Sequence, residues 1–392
     1  MTEVHPAGVW GDIADDFVTE FSQRMLVSLP RRDQREHGER YISGLLSVPG
    51  RKSMRAIATM FGGGAAEQSL HHFIGKSSWD WMPVRRVLAR HLDRTLLPHA
   101  WVVRPMAVVK TGAHTVGVEE SFVPQLGRVV NSQQSYSVWM ATEAASVPIQ
   151  WRLVLPSGWL RDEPRRRRAE IPESATEEAP AHCAVNAAMQ PAGDWGLRRR
   201  PMVMDARLHD AVSLACTLTR RQAPFVLRIS GGTWLRPIGP APAGQGQGVF
   251  QAQQLVDMVK TAGRPVNWTD PRSGINRCAV VNGIKVVLPG QEEATELVLA
   301  GAWSGRERRA GELWLSNLTA VPTPMLLRLG RLTQRVEQDF GAIAAHVGVM
   351  DFEGRTYPGW HRHLTLAGVA HALVALSEHR REEELAPARR TA

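Results

Sequence analysis

A mixed α/β fold is what this sequence predicts, on three observations. Residues 12 to 95 carry apolar side chains at three-to-four spacing between Gly and Pro breaks, which is helical patterning. From Ala100 the period changes to strand-like runs. Strand-like and helix-like runs then alternate as far as Ile229, which implies helices packed on a mixed sheet.

Taken in order, Asp15 to Leu29 and Gln34 to Leu46 are predicted helices, bearing Phe17, Phe21, Met25, Tyr41 and Leu45 and separated by Pro30. Met54 to Phe61 is a third helix, broken by Gly62-Gly63-Gly64, and Ala65 to Ile74 is a fourth. Ser77-Ser78-Trp79-Asp80 opens a fifth, running to Leu96. Strands are predicted at Trp101 to Val109, His114 to Val118, Ser135 to Glu143 and Pro148 to Pro156. A helix-prone stretch, Ala175 to Met189, precedes a short strand Met202 to Met204, a helix Ala206 to Arg220 and a strand Phe225 to Ile229.

Residues 231 to 312 are rich in Gly and Pro, with strand-like runs at Cys278 to Val281, Ile284 to Leu288 and Glu296 to Ala300, and read as a β-rich insertion. Leu313 to Leu318 returns to the core. Pro322 to Val347 is a long helix whose stripe is Leu326, Leu329, Leu332, Val336, Phe340, Ile343 and Val347. His363 to Leu376 is a last apolar helix, and the charged tail from Glu378 is expected to lack structure. The expected organisation is a helical N-terminal domain over 1–95, a core over 96–231, the insertion over 232–312, completion of the core over 313–376, and a tail over 377–392.

Composition narrows the function classes. Hydrophobic residues make up 43% and charged residues 22%, as in ordinary globular proteins. No apolar run of about 18 residues and no signal-peptide pattern is present, so no membrane partner and a cytoplasmic location are expected. The three cysteines, Cys183, Cys216 and Cys278, form neither CxxC nor zinc spacing. Lys and Arg total 47 against 38 Asp and Glu, a balance that favours a polyanion, double-stranded DNA first. The arginines cluster as Arg165, Arg166, Arg167 and Arg168, as Arg198, Arg199 and Arg200, and as Arg306, Arg308 and Arg309, all candidate DNA contacts.

The chemistry-bearing phrases are more specific. Trp101-Val-Val-Arg-Pro-Met-Ala-Val-Val-Lys-Thr-Gly112 is followed by His114-Thr-Val-Gly-Val118. Pro201-Met-Val-Met-Asp-Ala206 ends an apolar strand in an acid, and Gln334-Arg-Val-Glu-Gln-Asp-Phe340 carries two acids on a helix. Asn131-x-Gln133, Trp151-Arg-Leu-x-Leu-Pro156, Trp159-x-x-Asp162, Trp314-Leu-Ser-Asn-Leu318 and Phe352-Glu-Gly-Arg-x-x-x-Gly-Trp-His-x-His363, with its His361-Arg362-His363 cluster, complete the set. Together they resemble DDE transposases of the IS701 type, over roughly residues 17 to 376; Tyr41-x-x-Gly-Leu-Leu46 and Ser78-Trp-Asp80 make the 1–95 helices resemble the DNA-binding domain of the same enzymes. The resemblance implies an RNase H-like fold whose three acids hold Mg²⁺ for DNA cleavage and joining.

Two of those acids match, Asp205 and Glu337. The first does not: Arg104 and Pro105 stand where the resemblance places paired aspartates. Arg207-Leu208-His209 replaces a Gly-Tyr-Gly phrase after Asp205, and Ala344 replaces a lysine after Glu337. A guanidinium cannot hold Mg²⁺, so no cofactor is expected unless the enzyme is active. Arg104 would instead pair with Asp205 or Glu337 in the place of the metal. Asp205 has a second reading as a helix N-cap.

The resemblance thus implies a transposase-like DNA-binding pseudoenzyme, a domesticated transposase with a regulatory role. Two other readings stay open. One is an active Mg²⁺-dependent DDE enzyme that takes its first ligand from Glu119 or Glu120. The other is a protein that binds or converts a small molecule in the vacated cleft. A homodimer is an expectation from the resemblance alone.

Overall fold

Apolar stripes set the N-terminal helices, and capping residues start two of them. The computed structural model describes residues 13–124, 126–238, 248–270, 274–290, 295–305 and 307–390. Its first helices are α1 (Asp15–Met25), α2 (Arg32–Ser47), α3 (Met54–Thr59), α4 (Gly64–Gly75) and α5 (Trp81–Thr95). Ser53 caps α3 by accepting from Ala56 N, and Asp80 caps α5 by accepting from Met82 N. Phe21, Met25, Tyr41, Leu45, Phe73 and Leu88 turn inward into one continuous core.

Strands follow as β1 (Ala100–Val109), β2 (Val118–Val123), β3 (Arg128–Ala141) and β4 (Ser146–Leu153). Residues 114–117, expected in a strand with Val118, form a turn instead. Gly117 lies there at φ +76°, a backbone conformation an L side chain would strain. Next come α6 (Ser157–Arg161), α7 (Glu163–Arg168), α8 (Pro180–Asp194), β5 (Met202–Asp205), α9 (Ala211–Arg220) and β6 (Phe225–Arg228). Between β6 and the last strand come β7 (Trp234–Pro237), β8 (Phe250–Gln251), α10 (Ala252–Val259), β9 (Arg264–Thr269), β10 (Asn276–Val287) and β11 (Leu297–Ser304). The chain closes with β12 (Glu312–Ser316), α11 (Thr323–Asp339) and α12 (Tyr357–Arg390).

All these strands but two lie along one path, β2-β3-β1-β5-β6-β12-β11-β10-β7-β8, with β4 also on β3 and β9 on β10. Within it, β1, β5 and β6 are parallel, while β3 is antiparallel to both β1 and β4. The order β4-β3-β1-β5-β6 with those directions is the RNase H-like arrangement. The Gly- and Pro-rich segment is β-rich, and it lengthens the same sheet beyond β12. Its runs at Cys278 and Ile284 are one strand, β10, carried through Asn282-Gly283.

Helix α11 lies against this sheet through Leu326, Leu327, Leu332 and Val336. Gly330 permits the approach, because a Cβ there would stand 2.6 Å from the Trp314 ring on β12. The α-helical geometry expected as far as Val347 ends at Asp339, and Phe340–Ala344 is a π-helical turn. Asp339, buried, accepts from Ser146 N and Ser146 Oγ at 2.7 Å each, tying that junction to the start of β4. Helix α12 is buried on every face from Gly359 to Leu376. It continues through Arg390, so the expected loss of structure after Leu376 is not seen over residues 377–390.

A helix buried all round must satisfy its polar side chains internally. The His363 imidazole contacts Tyr41 Oη and Gly348 O at 2.8 Å each, and His371 Nε2 contacts Ser146 O at 2.8 Å. Arg362 donates to Trp79 O and Ile74 O. Fully buried Arg85 on α5 reaches Thr365 Oγ1, Gln150 Oε1 and the His361 carbonyl. The His361-Arg362-His363 phrase therefore welds the N-terminal helices to the sheet.

Burial holds the His363 and His371 imidazoles down to about 4. Both are neutral in the fold and would take protons below about 6.5 if unfolded. Their stabilisation is complete above pH 6.5 and is lost as pH falls toward 4, by up to about 3 kcal/mol per ring. Thermal melts should show Tm falling over that window, and His371→Gln should make the fall shallower.

Candidate active site and nucleic-acid interface

Parallel pairing of β1 with β5 ends at Val103 and Met204. Beyond it β5 supplies one more residue, Asp205, paired across with Arg228 at the end of β6. β1 continues, held on its other side by β3 through Val109. Backbone alternation explains how Pro105 fits here. Trp101 N donates toward β5 at Pro201 O, while Lys110 N donates toward β3 at Asn131 O. Pro105 shares the parity of Trp101, so its missing N–H faces the side where β5 has stopped.

Arg104 reaches across this opening to α11. Its Nη2 donates to Glu337 Oε2 at 3.0 Å, and Nε lies 2.9 Å from Oε1. The guanidinium lies 3.5 Å from the centre of the Phe340 ring, so α11 supplies a carboxylate and the π-helical turn after it an aromatic face. Of the two partners expected for Arg104, the structure selects Glu337.

Asp205 is taken by Arg207. Its two oxygens accept Arg207 Nε at 2.9 and 3.1 Å, Oδ2 accepts Nη2 at 2.6 Å, and Oδ1 accepts the Arg207 N–H at 3.2 Å. Burial opposes the charge on Asp205, but the Arg207 hydrogen bonds and the Arg207 and Arg228 charges outweigh it. The carboxyl is held below its usual range. Asp205 does not cap a helix: α9 begins at Ala211, capped by Asp210 on Val212 N and Ser213 N.

Sequence reasoning missed a third pair beside these. Glu312 on β12 accepts Arg331 of α11 at 2.9 Å, and Arg331 also stacks 3.2 Å from the Trp268 ring centre. Arg228 faces the Trp314 ring at 5.9 Å. The available signal was Arg328, Arg331 and Arg335 at three-to-four spacing on the α11 pattern. Nothing in the sequence marks their partners.

This donor set does not fit Mg²⁺. A two-metal centre needs converging carboxylates with free lone pairs, and Asp205 and Glu337 each face a guanidinium instead. Among the described residues, no group of three His, Cys, Asp or Glu converges. Glu119 and Glu120 do not supply the missing ligand. They are exposed on β2, opposite Ser132 and Asn131. Ser132 in turn pairs with Val109, five residues along β1 from Arg104. At the spacings of a sheet they lie about 20 Å away.

The arginine clusters divide into two kinds. Arg166 serves the carbonyls of Pro172, Glu173 and Ala175, and Arg200 pairs with Asp93 at 2.8 Å. Arg165 lies 3.7 Å from the Trp159 ring centre and donates to Ala113 O. Arg167 pairs with Glu163 on the surface at 2.8 Å. Arg168, Arg198, Arg199, Arg308 and Arg309 are exposed, while Arg306 lies outside the described residues. No helix among the described residues is long and apolar enough to cross a membrane.

The RNase H-like sheet, with Asp205 at the end of β5 and Glu337 on α11, defines the class as nuclease-like. A family model of DDE superfamily endonucleases matches residues 24–283, and the chain belongs to that family. The match includes Arg104 and Asp205 and stops before α11. Enzymes of this superfamily normally use a divalent metal. A search of curated proteins finds no match.

The ion pairs differ in burial, which sets their expected energetics. Arg331 and Glu312 side chains are 7% and 16% exposed, against 14% and 44% for Arg104 and Glu337. Glu312→Ala, which strands Arg331, should destabilise by about 3 kcal/mol. Glu337→Ala should cost about 1 kcal/mol or less. Urea unfolding of both variants measures the difference.

Proposed function

We propose that this chain is a transposase-derived DNA-binding protein of the IS701 type that does not carry out strand transfer. The observation that carries the reading is the Arg104–Glu337 pair stacked on Phe340. A cation occupies the position where the resemblance expects a metal-binding aspartate, and it claims one of the two remaining acids. Arg207 claims the other. The triad is dismantled electrostatically as well as by loss of one ligand.

DNA binding is supported by the net charge of +9, by family membership, and by the exposed arginines at 168, 198, 199, 308 and 309. We assign the helices within residues 1–95 as a DNA-contacting domain on the resemblance of that block. Binding without cutting would let the protein occupy DNA sites and act as a regulator.

Electrophoretic mobility shifts with duplex DNA should show binding at low salt. Each phosphate contact should add about −0.9 to the slope of log K against log salt. Supercoiled plasmid incubated with Mg²⁺ or Mn²⁺ should stay intact. Metal-dependent nicking that Glu337→Ala abolishes would establish the endonuclease reading instead, and no duplex binding at low salt would end the DNA-binding one.

A further inference from the structure

Several of the phrases singled out in the sequence are far apart along the chain but meet in space. The turn after β1, the helices α6 and α7, and the segment before α12 converge beyond the end of β1 and enclose a cavity of about 120 Å³. That is several times the ~15 Å³ that one water needs. His114, Trp159, Arg165, Arg168 and Arg355 line it, and no acidic side chain does.

The walls are pinned to one another. Lys110 Nζ donates to Phe352 O at 2.7 Å, joining the end of β1 to the Arg355 segment. Trp159 Nε1 donates to Val118 O at 2.9 Å, and Tyr357 N donates to Ala169 O at 2.7 Å. Arg165 stacks on Trp159 and uses an Nη2 donor on Ala113 O, which fixes its plane and leaves most of its five N–H donors uncommitted.

Acids near the cavity in sequence are engaged elsewhere. Glu353 pairs with Arg51, Glu170 with Lys76, Glu163 with Arg167, and Asp162 caps α7. Arg355, exposed at the rim, has no hydrogen-bond or ion-pair partner among the described residues. Three guanidinium groups around a concave, preorganised cavity without a counter-charge are suited to a tetrahedral oxyanion.

We propose that this pocket binds a phosphate group, with Arg165 as its fixed donor and Arg168 and Arg355 closing on the anion. The phosphate chemistry rests on the pocket alone. Its assignment to a DNA backbone rests on the DNA-binding reading above.

The test is calorimetric titration of the full chain with inorganic phosphate, beside a duplex-binding titration. The variant is Arg168→Gln/Arg355→Gln, two exposed positions whose change leaves the pinning contacts intact. Arg308→Gln/Arg309→Gln is the control for general loss of charge. We expect saturable phosphate binding that weakens about tenfold in the pocket variant and is unchanged in the control. Duplex affinity should fall in the pocket variant with a salt slope smaller by about one. Phosphate loss with unchanged duplex binding would assign the pocket to a free phosphorylated molecule. Phosphate loss in a protein that binds no duplex would refute the DNA reading and leave the pocket standing. Phosphate binding that is absent in the wild type, or equal in wild type and pocket variant, overturns the proposal.

Discussion

Carboxylates gathered at the end of a parallel sheet must be neutralised, and the means of neutralisation shapes everything around them. Asp205, Glu312 and Glu337 come from β5, β12 and α11, and each meets an arginine: Arg207, Arg331 and Arg104. With Arg228 beside Asp205 on the neighbouring strand, this band holds four guanidinium groups against three carboxylates. That pairing of acids with arginines is what supports the proposal that the site no longer gathers a divalent cation.

Two aromatic rings support two of these arginines. Phe340 and Trp268 give Arg104 and Arg331 flat apolar faces, so partly desolvated cations gain both packing and a quadrupole. Phe340 also opens the π-helical turn that ends α11, and buried Asp339 beside it anchors to Ser146. The turn, the anchor and the stacked arginine form one junction. It passes directly into the segment before α12, whose fully buried middle joins the N-terminal helices to the sheet.

Much of this was legible in the sequence, for identifiable reasons. The α11 stripe marked its buried face, and the apolar run ending at Asp205 marked β5, because periodicity reports burial directly. The end of α11 at Asp339 was not legible, since a π-turn keeps the apolar pattern while changing the bonding. Asp205 and Asp210 are both chemically fit to cap a helix, and only geometry chose Asp210. Arg104 had two expected partners because strand register and helix placement, absent from a sequence, decide which carboxylate lies in reach. The insertion read as β-rich, yet its continuity with the core sheet follows from β11 pairing with β12, a contact no local pattern encodes.

Under the function we propose, arginines stand in the place of metal at this site. Crystals soaked in Mn²⁺ and measured at an anomalous wavelength test it most directly. No manganese peak is expected between Asp205 and Glu337, with the Arg104 guanidinium still lying on Phe340. A manganese ion bound by both carboxylates, with Arg104 swung away, would contradict it.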